Sequence, residues 1–137
     1  MCSAFQFRQQ TFRPGTEVLA RSPLGLERLV WAGFARKESL AWWTGEGGVL
    51  LDVPADRFAE RSDTTGRLIW SDIPIRSVLR GVMDRRGTRP LLKIVTRAST
   101  LQEMVKFQHP RMPFLEGVLY GEEPWPDLTD GFENELF

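Results

Sequence analysis

The stretch "LLKIVTRASTLQEMVKFQHPRMPFL" (91–115) decides how this chain is read. Residues 91–97 are rich in aliphatic and β-branched side chains and predict a strand. Residues 99–108 then predict a helix. Thr100 and Glu103 have capping-box spacing, and Leu101, Met104, Val105 and Gln108 fall at i, i+3, i+4 and i+7. Two prolines in "HPRMP" (109–113) end that helix, because proline lacks an N–H and its ring clashes with the preceding turn.

The rest of the chain reads mainly as short strands. Residues 1–14 predict an extended segment closed by a Pro14-Gly15 turn. Strands are expected over 16–21, 27–34, 48–54, 67–75 (ending in a loop) and 76–83, with a hairpin turn in "DRRGTRP" (84–90). "ARKESLAWW" (35–43) suits a short helix. "ADRFAERSD" (55–63) fits a helical turn or a continued strand, and "FLEGVLY" (114–120) a last strand or a helical turn. Several strands with one or two short helices predict the α+β class with a curved or barrel-like sheet.

Composition bounds what the chain does. At 137 residues it predicts one domain. No apolar run approaches the roughly 20 residues that span a bilayer, and the start has no apolar signal-peptide core, so the expected location is cytoplasmic with no membrane partner. The single cysteine, Cys2, excludes an intramolecular disulfide and a multi-cysteine zinc site. Charge is uneven. Residues 1–115 hold all 18 Lys and Arg but only 11 of the acids, whereas 116–137 hold seven acids and no Lys or Arg. Arg outnumbers Lys 15 to 3, which suits phosphate recognition by the guanidinium fork. A domain over 1–115 with an acidic tail over 116–137 is expected, the tail offering aromatic anchors at Trp125, Phe132 and Phe137.

Nucleotide-binding glycine loops, a hydrolase nucleophile elbow and calcium loops are all missing from the sequence. That leaves Cys2, the lone histidine His109 and a choice of carboxylates. If Met1 is removed, Cys2 carries a free α-amine beside its thiol. The amine has a reference pKa of about 7.7–8.0, so part of it is neutral and nucleophilic near pH 7. Amines attack carbonyls to give Schiff bases, and the thiol can then close a five-membered thiazolidine on the same carbon. An aldehyde is the natural target.

Three patches of this sequence resemble the SOS response-associated peptidase (SRAP) family. Met1-Cys2-Ser3-Ala4-Phe5 is similar to the family's Met-Cys-Gly-Arg-Phe start. "LLDVPADRFAE" (50–60) is similar to its Cys-Leu-Ile-Pro-Ala-Asp-Gly-Phe-Tyr-Glu-Trp segment, with Glu60 at the position of the catalytic glutamate. Residues 91–115 resemble its strand, helix and His-x-Arg-Met-Pro element, with His109 at the position of the active-site histidine. Departures are visible too. "FARKES" (34–39) puts Phe34 where the family has asparagine, Ala4 replaces arginine and Arg61 replaces tryptophan.

The resemblance implies a barrel-like antiparallel sheet with a few short helices. It also implies an abasic-site sensor that binds single-stranded DNA and forms a covalent thiazolidine crosslink through Cys2, a lyase- or peptidase-like activity. Cys2, Glu60 and His109 are the implied catalytic residues. Arg36 and Arg111 are the expected phosphate contacts, and Trp31 an expected wedge against bases. No cofactor or metal is expected, and the family default is a monomer. Two other readings stand beside this one: a degenerate fold that binds DNA or protein non-covalently, and a thiol peptidase with a Cys2–His109 dyad.

Overall fold

A computed structural model describes residues 2–121 and 123–126. In chain order the first strands are β1 (Cys2–Phe7), β2 (Gln10–Phe12), β3 (Glu17–Ser22) and β4 (Gly25–Arg36). A 3-10 turn (Lys37–Ser39) leads into the short helix α1 (Leu40–Gly45). Then come β5 (Val49–Val53), β6 (Arg57–Arg61), β7 (Leu68–Asp72), β8 (Ser77–Asp84) and β9 (Leu91–Ala98). Helix α2 (Leu101–Phe107), β10 (Arg111–Pro113) and β11 (Leu115–Gly117) complete the described elements.

The expected α+β barrel is present. Strands β9, β4, β3, β5 and β8 are hydrogen-bonded in that order, and β8 pairs back onto β9 to close the ring. All but one of these pairings are antiparallel; β4 and β9 run parallel, Val30 opposite Leu91 and Arg36 opposite Thr96. The β4 register slips between Trp31 and Phe34, where Gly33 takes a φ of +102° that side-chain-bearing residues rarely adopt.

Strands β8 and β9 pair only over Gly81–Asp84 and Leu91–Ile94, then part. Beyond that point β10 pairs with the end of β9, and β11 with the start of β8. This parting carries the "HPRMP" segment to the Ala98 end of β9. Close packing in the core requires glycine at position 81. A Cβ there would sit 2.7 Å from Leu92 Cδ1 and 3.1 Å from Val53 Cγ2.

A second sheet, β2-β1-β6-β7, packs its aromatic residues into the same core. The Phe5 ring lies 5.2 Å from Phe12 and 5.3 Å from Trp31, within the range of favourable aromatic pairs. A smaller cluster of Ala35, Val82 and Val95 is covered by Leu40 and Trp43 of α1.

One expectation needs correction, and two others are sharpened. The helix expected over 35–43 begins later, because Arg36 is still paired with Thr96 on β9. Of the two readings open for 55–63, a helical turn or a continued strand, the strand is found: β6 is held between β1 and β7. The helix expected over 99–108 is present as α2; its Leu101, Met104 and Val105 are exposed, and its buried residue is Phe107, whose ring lies 5.8 Å from that of Phe58, tilted by 30°. The capping box itself is formed, with Glu103 N–H donating to Thr100 Oγ1 and Thr100 N–H to Glu103 Oε1.

The described part of the acidic segment packs on the barrel. Arg80, fully buried on β8, donates to Asp52 Oδ1 at 2.7 Å, to Glu116 Oε1 at 2.8 Å and to the Gly117 carbonyl at 2.8 Å. Asp52 also accepts from the Leu119 and Tyr120 amides. Trp125 lies edge-on to Phe7 and under the Arg21 guanidinium. The anchors expected at Phe132 and Phe137 lie outside the described residues. Among the described residues no helix is long and apolar enough to cross a membrane.

Candidate functional site

Strand β1 begins at Cys2, and its antiparallel partner β6 places Glu60 directly opposite. The register shifts between Cys2 and Ala4, so Cys2 sits at an irregularity rather than in a regular ladder. Ser3 reinforces the pairing, its hydroxyl accepting from the Arg61 amide at 3.2 Å. Cys2 is 1% exposed and its thiol donates to the Ala4 carbonyl at 3.3 Å. Burial, reinforced by the nearby Glu60 charge, pushes the thiol pKa up. The thiol therefore stays protonated in this state. A thiolate–imidazolium dyad needs the opposite shift, which counts against the peptidase reading.

Glu60 is fully buried. Burial raises its pKa to about 7, the usual behaviour of a carboxyl withdrawn from water. A carboxyl with that pKa is present in both protonation states near neutrality, as a general acid or base must be.

His109 is positioned by the end of α2. Gln108 adopts a left-handed conformation that stops the helix. The Ser99 hydroxyl then holds the His109 carbonyl at 2.7 Å, and the Ser99 amide holds the Pro110 carbonyl at 2.9 Å. The ring is fixed at Nδ1, which lies 3.1 Å from the Arg111 amide nitrogen. Its Nε2 lies 3.9 Å from Asp63 Oδ1. Asp63 is tied to α2 in turn, its amide donating to the Gln108 carbonyl at 3.0 Å. Partial burial lowers the His109 pKa, so the imidazole is neutral at pH 7.

Cys2 and His109 line one cavity of about 370 Å³, together with Ser3, Phe34 and Pro14 and the side chains of Arg13 and Arg61. Residues far apart in sequence thus meet where β1, the β2–β3 turn, β4, β6 and the end of α2 converge. Phe34, at the position expected to carry a polar amide, offers an apolar wall and stands edge-on to Trp31 at 5.9 Å.

The three residues expected to contact DNA are placed differently from one another. Arg36 is exposed at the end of β4. Arg111 has its guanidinium committed: it pairs with both carboxylate oxygens of Glu38, at 2.9 and 3.2 Å, and donates to the Thr96 carbonyl at 2.8 Å. It therefore ties the "FARKES" segment to "HPRMP" instead of presenting a bare cation. Trp31 is completely buried, its indole N–H donating to the Gly33 carbonyl at 3.1 Å. It cannot wedge against a base from there; it is a core residue.

Sequence reasoning missed Arg13, Asp63 and the placement of Arg61 at the cavity. Arg61 had a weak signal, since it follows Glu60 on a strand that ends beside Cys2. Arg13 had none, because a turn joining two different sheets brings it in. Among the described residues, no group of three or more His, Cys, Asp or Glu is arranged to hold a metal ion. Comparison with known proteins finds no match for this chain among family models, curated proteins or solved structures.

Proposed function

We propose that this protein is an abasic-site sensor that binds single-stranded DNA and links to it covalently through Cys2 after Met1 is removed. One observation carries the reading: Cys2 stands opposite a carboxyl with a pKa of about 7 and shares a cavity with a neutral histidine. An aminothiol, a group that is both acid and base, and a proton carrier are what condensation with an aldehyde requires. The resemblance of the Cys2, Glu60 and His109 segments to the SRAP family points to the same chemistry.

The sequence of steps follows from the protonation states. The abasic sugar opens from hemiacetal to aldehyde, with Glu60 taking the anomeric hydroxyl proton and an acid returning one to the ring oxygen. Because the thiol is held protonated, the Cys2 amine attacks C1′ first. Protonated Glu60 donates to the departing hydroxyl of the carbinolamine, which leaves as water, and neutral His109 takes up the proton released by the nitrogen, giving a Schiff base. The thiol sulfur then adds to C1′, and its proton ends on the nitrogen. The net reaction joins aldehyde and aminothiol into a thiazolidine with loss of one water, so no oxidant or cofactor is needed.

DNA attraction on this account is electrostatic, from an Arg-rich body with Arg36 exposed near the site. The protein is expected to act as a cytoplasmic monomer.

A second reading is a non-covalent DNA- or protein-binding module. The apolar Phe34 wall and the buried, protonated thiol favour it. A denaturing gel separates the two. Single-stranded DNA with one abasic site should give a retarded band that disappears with Cys2→Ala or when Met1 is retained. Binding on a native gel with no denaturant-resistant band selects the second reading. No shift on either gel contradicts both DNA readings.

A further inference from the structure

The cavity that holds Cys2 and His109 is bordered by two arginines that come from unrelated parts of the fold. Arg13 opens the β2–β3 connection, directly after Phe12, and its backbone is locked in place. Its amide donates to Thr16 Oγ1 at 3.3 Å, the same hydroxyl donates back to the Arg13 carbonyl at 2.7 Å, and Gly15 N–H reaches the Trp31 carbonyl at 2.7 Å. Arg61 ends β6, one residue beyond Glu60. Its amide is held by Ser3 and one guanidinium nitrogen donates to the Gly66 carbonyl at 2.6 Å, which leaves most of its fork of donors to face outward.

Both arginines are exposed, and no acidic residue is among the described residues lining the cavity. Two carboxyl groups stand beside lining residues without lining it themselves: Glu60, buried opposite Cys2, and Asp63, 3.9 Å from His109 Nε2. Two cations around an aldehyde-reactive residue select an anionic electrophile. At about 370 Å³ the cavity lies near the lower end of small-ligand sites, which run from about 300 to 1,000 Å³. That suits a sugar with its phosphates better than a nucleotide with its base. Phe34 gives no hydrogen bond to a base or a hydroxyl, so orientation must come from charge.

Resting on the abasic-site reading, we propose that Arg13 and Arg61 form a phosphate clamp that grips the phosphodiesters on the two sides of the abasic sugar and so orients C1′ toward Cys2. Guanidinium–phosphate pairs are strong and directional, so the clamp selects internal abasic sites over free sugar aldehydes.

The test separates the clamp from the crosslink. The probe is a single-stranded oligonucleotide bearing a tetrahydrofuran abasic analogue, which has no aldehyde and cannot react. Arg13→Ala and Arg61→Ala should each weaken its binding about tenfold and lower the salt dependence by about one counterion. Arg13→Lys should recover part of the loss. Arg89→Ala, in the β8–β9 hairpin at the opposite end of β9 from His109, should bind as wild type. Unchanged melting temperatures check that the variants fold. With an aldehyde abasic site the same two alanine variants should crosslink about tenfold more slowly, while their adduct with glyceraldehyde, an uncharged aldehyde, forms at the wild-type rate.

Wild-type affinity and salt slope in both alanine variants, or a wild type that does not bind the analogue, would overturn the clamp. A wild type that binds the analogue in an arginine-dependent way but never crosslinks aldehyde DNA leaves the clamp standing and overturns the covalent reading alone.

Discussion

Cys2 and Glu60 are register partners across the antiparallel pair of β1 and β6, so the only thiol of the chain is held opposite its fully buried glutamate. Burial explains both pKa shifts. Each group is pulled from water, and the Glu60 charge further disfavours a thiolate. A strand ladder fixes this geometry more firmly than a loop would, because backbone bonds on both sides of β6 hold it.

Glu60→Gln should lower the crosslinking rate by about 10²-fold or more, the usual range for a lost general acid–base group. The rate of the wild type should change near pH 7, where Glu60 titrates, and the variant should lose that inflection. A pH–rate profile of both proteins checks this.

The same substitution should change stability with a definite sign. The folded-state pKa of Glu60 is raised from 4.5 to about 7, so the folded state keeps a proton that the unfolded chain has lost. Its contribution therefore falls as pH rises from about 4.5 to about 7 and is flat above. At pH 8 Glu60→Gln should be more stable than wild type by up to about 3 kcal/mol, and the difference should vanish near pH 4. His109 contributes the opposite slope below pH 6.5, since its folded pKa is lowered, but it does so in both proteins and cancels in the difference. Urea midpoints across this range measure it.

Cys2→Ser keeps the amine and removes the thiol. It should form only a hydrolysable Schiff base, trapped as a denaturant-resistant band when borohydride is present and absent without it. An equally durable band without reductant would mean that the ring is not what stabilises the adduct.

Glu103 links the capping box of α2 to Arg97, which donates to both carboxylate oxygens at 2.6 and 2.7 Å. The Arg97 pair holds the Glu103 pKa at about 2, so its stabilisation is complete above about pH 4.5 and is lost as pH falls toward 2. Glu103→Gln should cost about 2 kcal/mol at pH 7, after allowance for partial screening, and little at pH 2. Denaturation at the two pH values reads this out.

Asp52 and Arg80 are both fully buried, 2.7 Å apart. Asp52→Ala leaves the guanidinium without its closest counter-charge and frees two backbone amides of the segment at 119–120. It should cost about 3–5 kcal/mol in urea denaturation, the range for breaking a buried pair from one side.

Much of the sheet was legible because its signals are local. The aliphatic run at 91–97 became β9, the apolar run between Gly48 and Pro54 became β5, and Thr100 with Glu103 announced the start of α2. What failed depends on distant partners. Arg36 stays extended because Thr96 pairs with it, so the helix signal of "ARKES" is overridden. The spacing at 101–108 announces the helix but not its docking face, which is set by Phe107 packing on Phe58. Parallel pairing of β4 with β9 leaves no trace in either strand alone. At the site, Cys2, Glu60 and His109 could be singled out by chemical rarity and motif likeness. Trp31 could not be assigned from type, since an indole serves a core as well as a base stack, and only its burial decides. Arg13 needed the fold itself to reach the cavity.

Intact-mass analysis of the protein after incubation with abasic single-stranded DNA, without reductant and under denaturing conditions, tests the central claim most directly. The account predicts one adduct whose mass is that of the protein lacking Met1 plus the oligonucleotide less one water, with the modification mapping to Cys2. No adduct, or an adduct on protein that retains Met1, would contradict it.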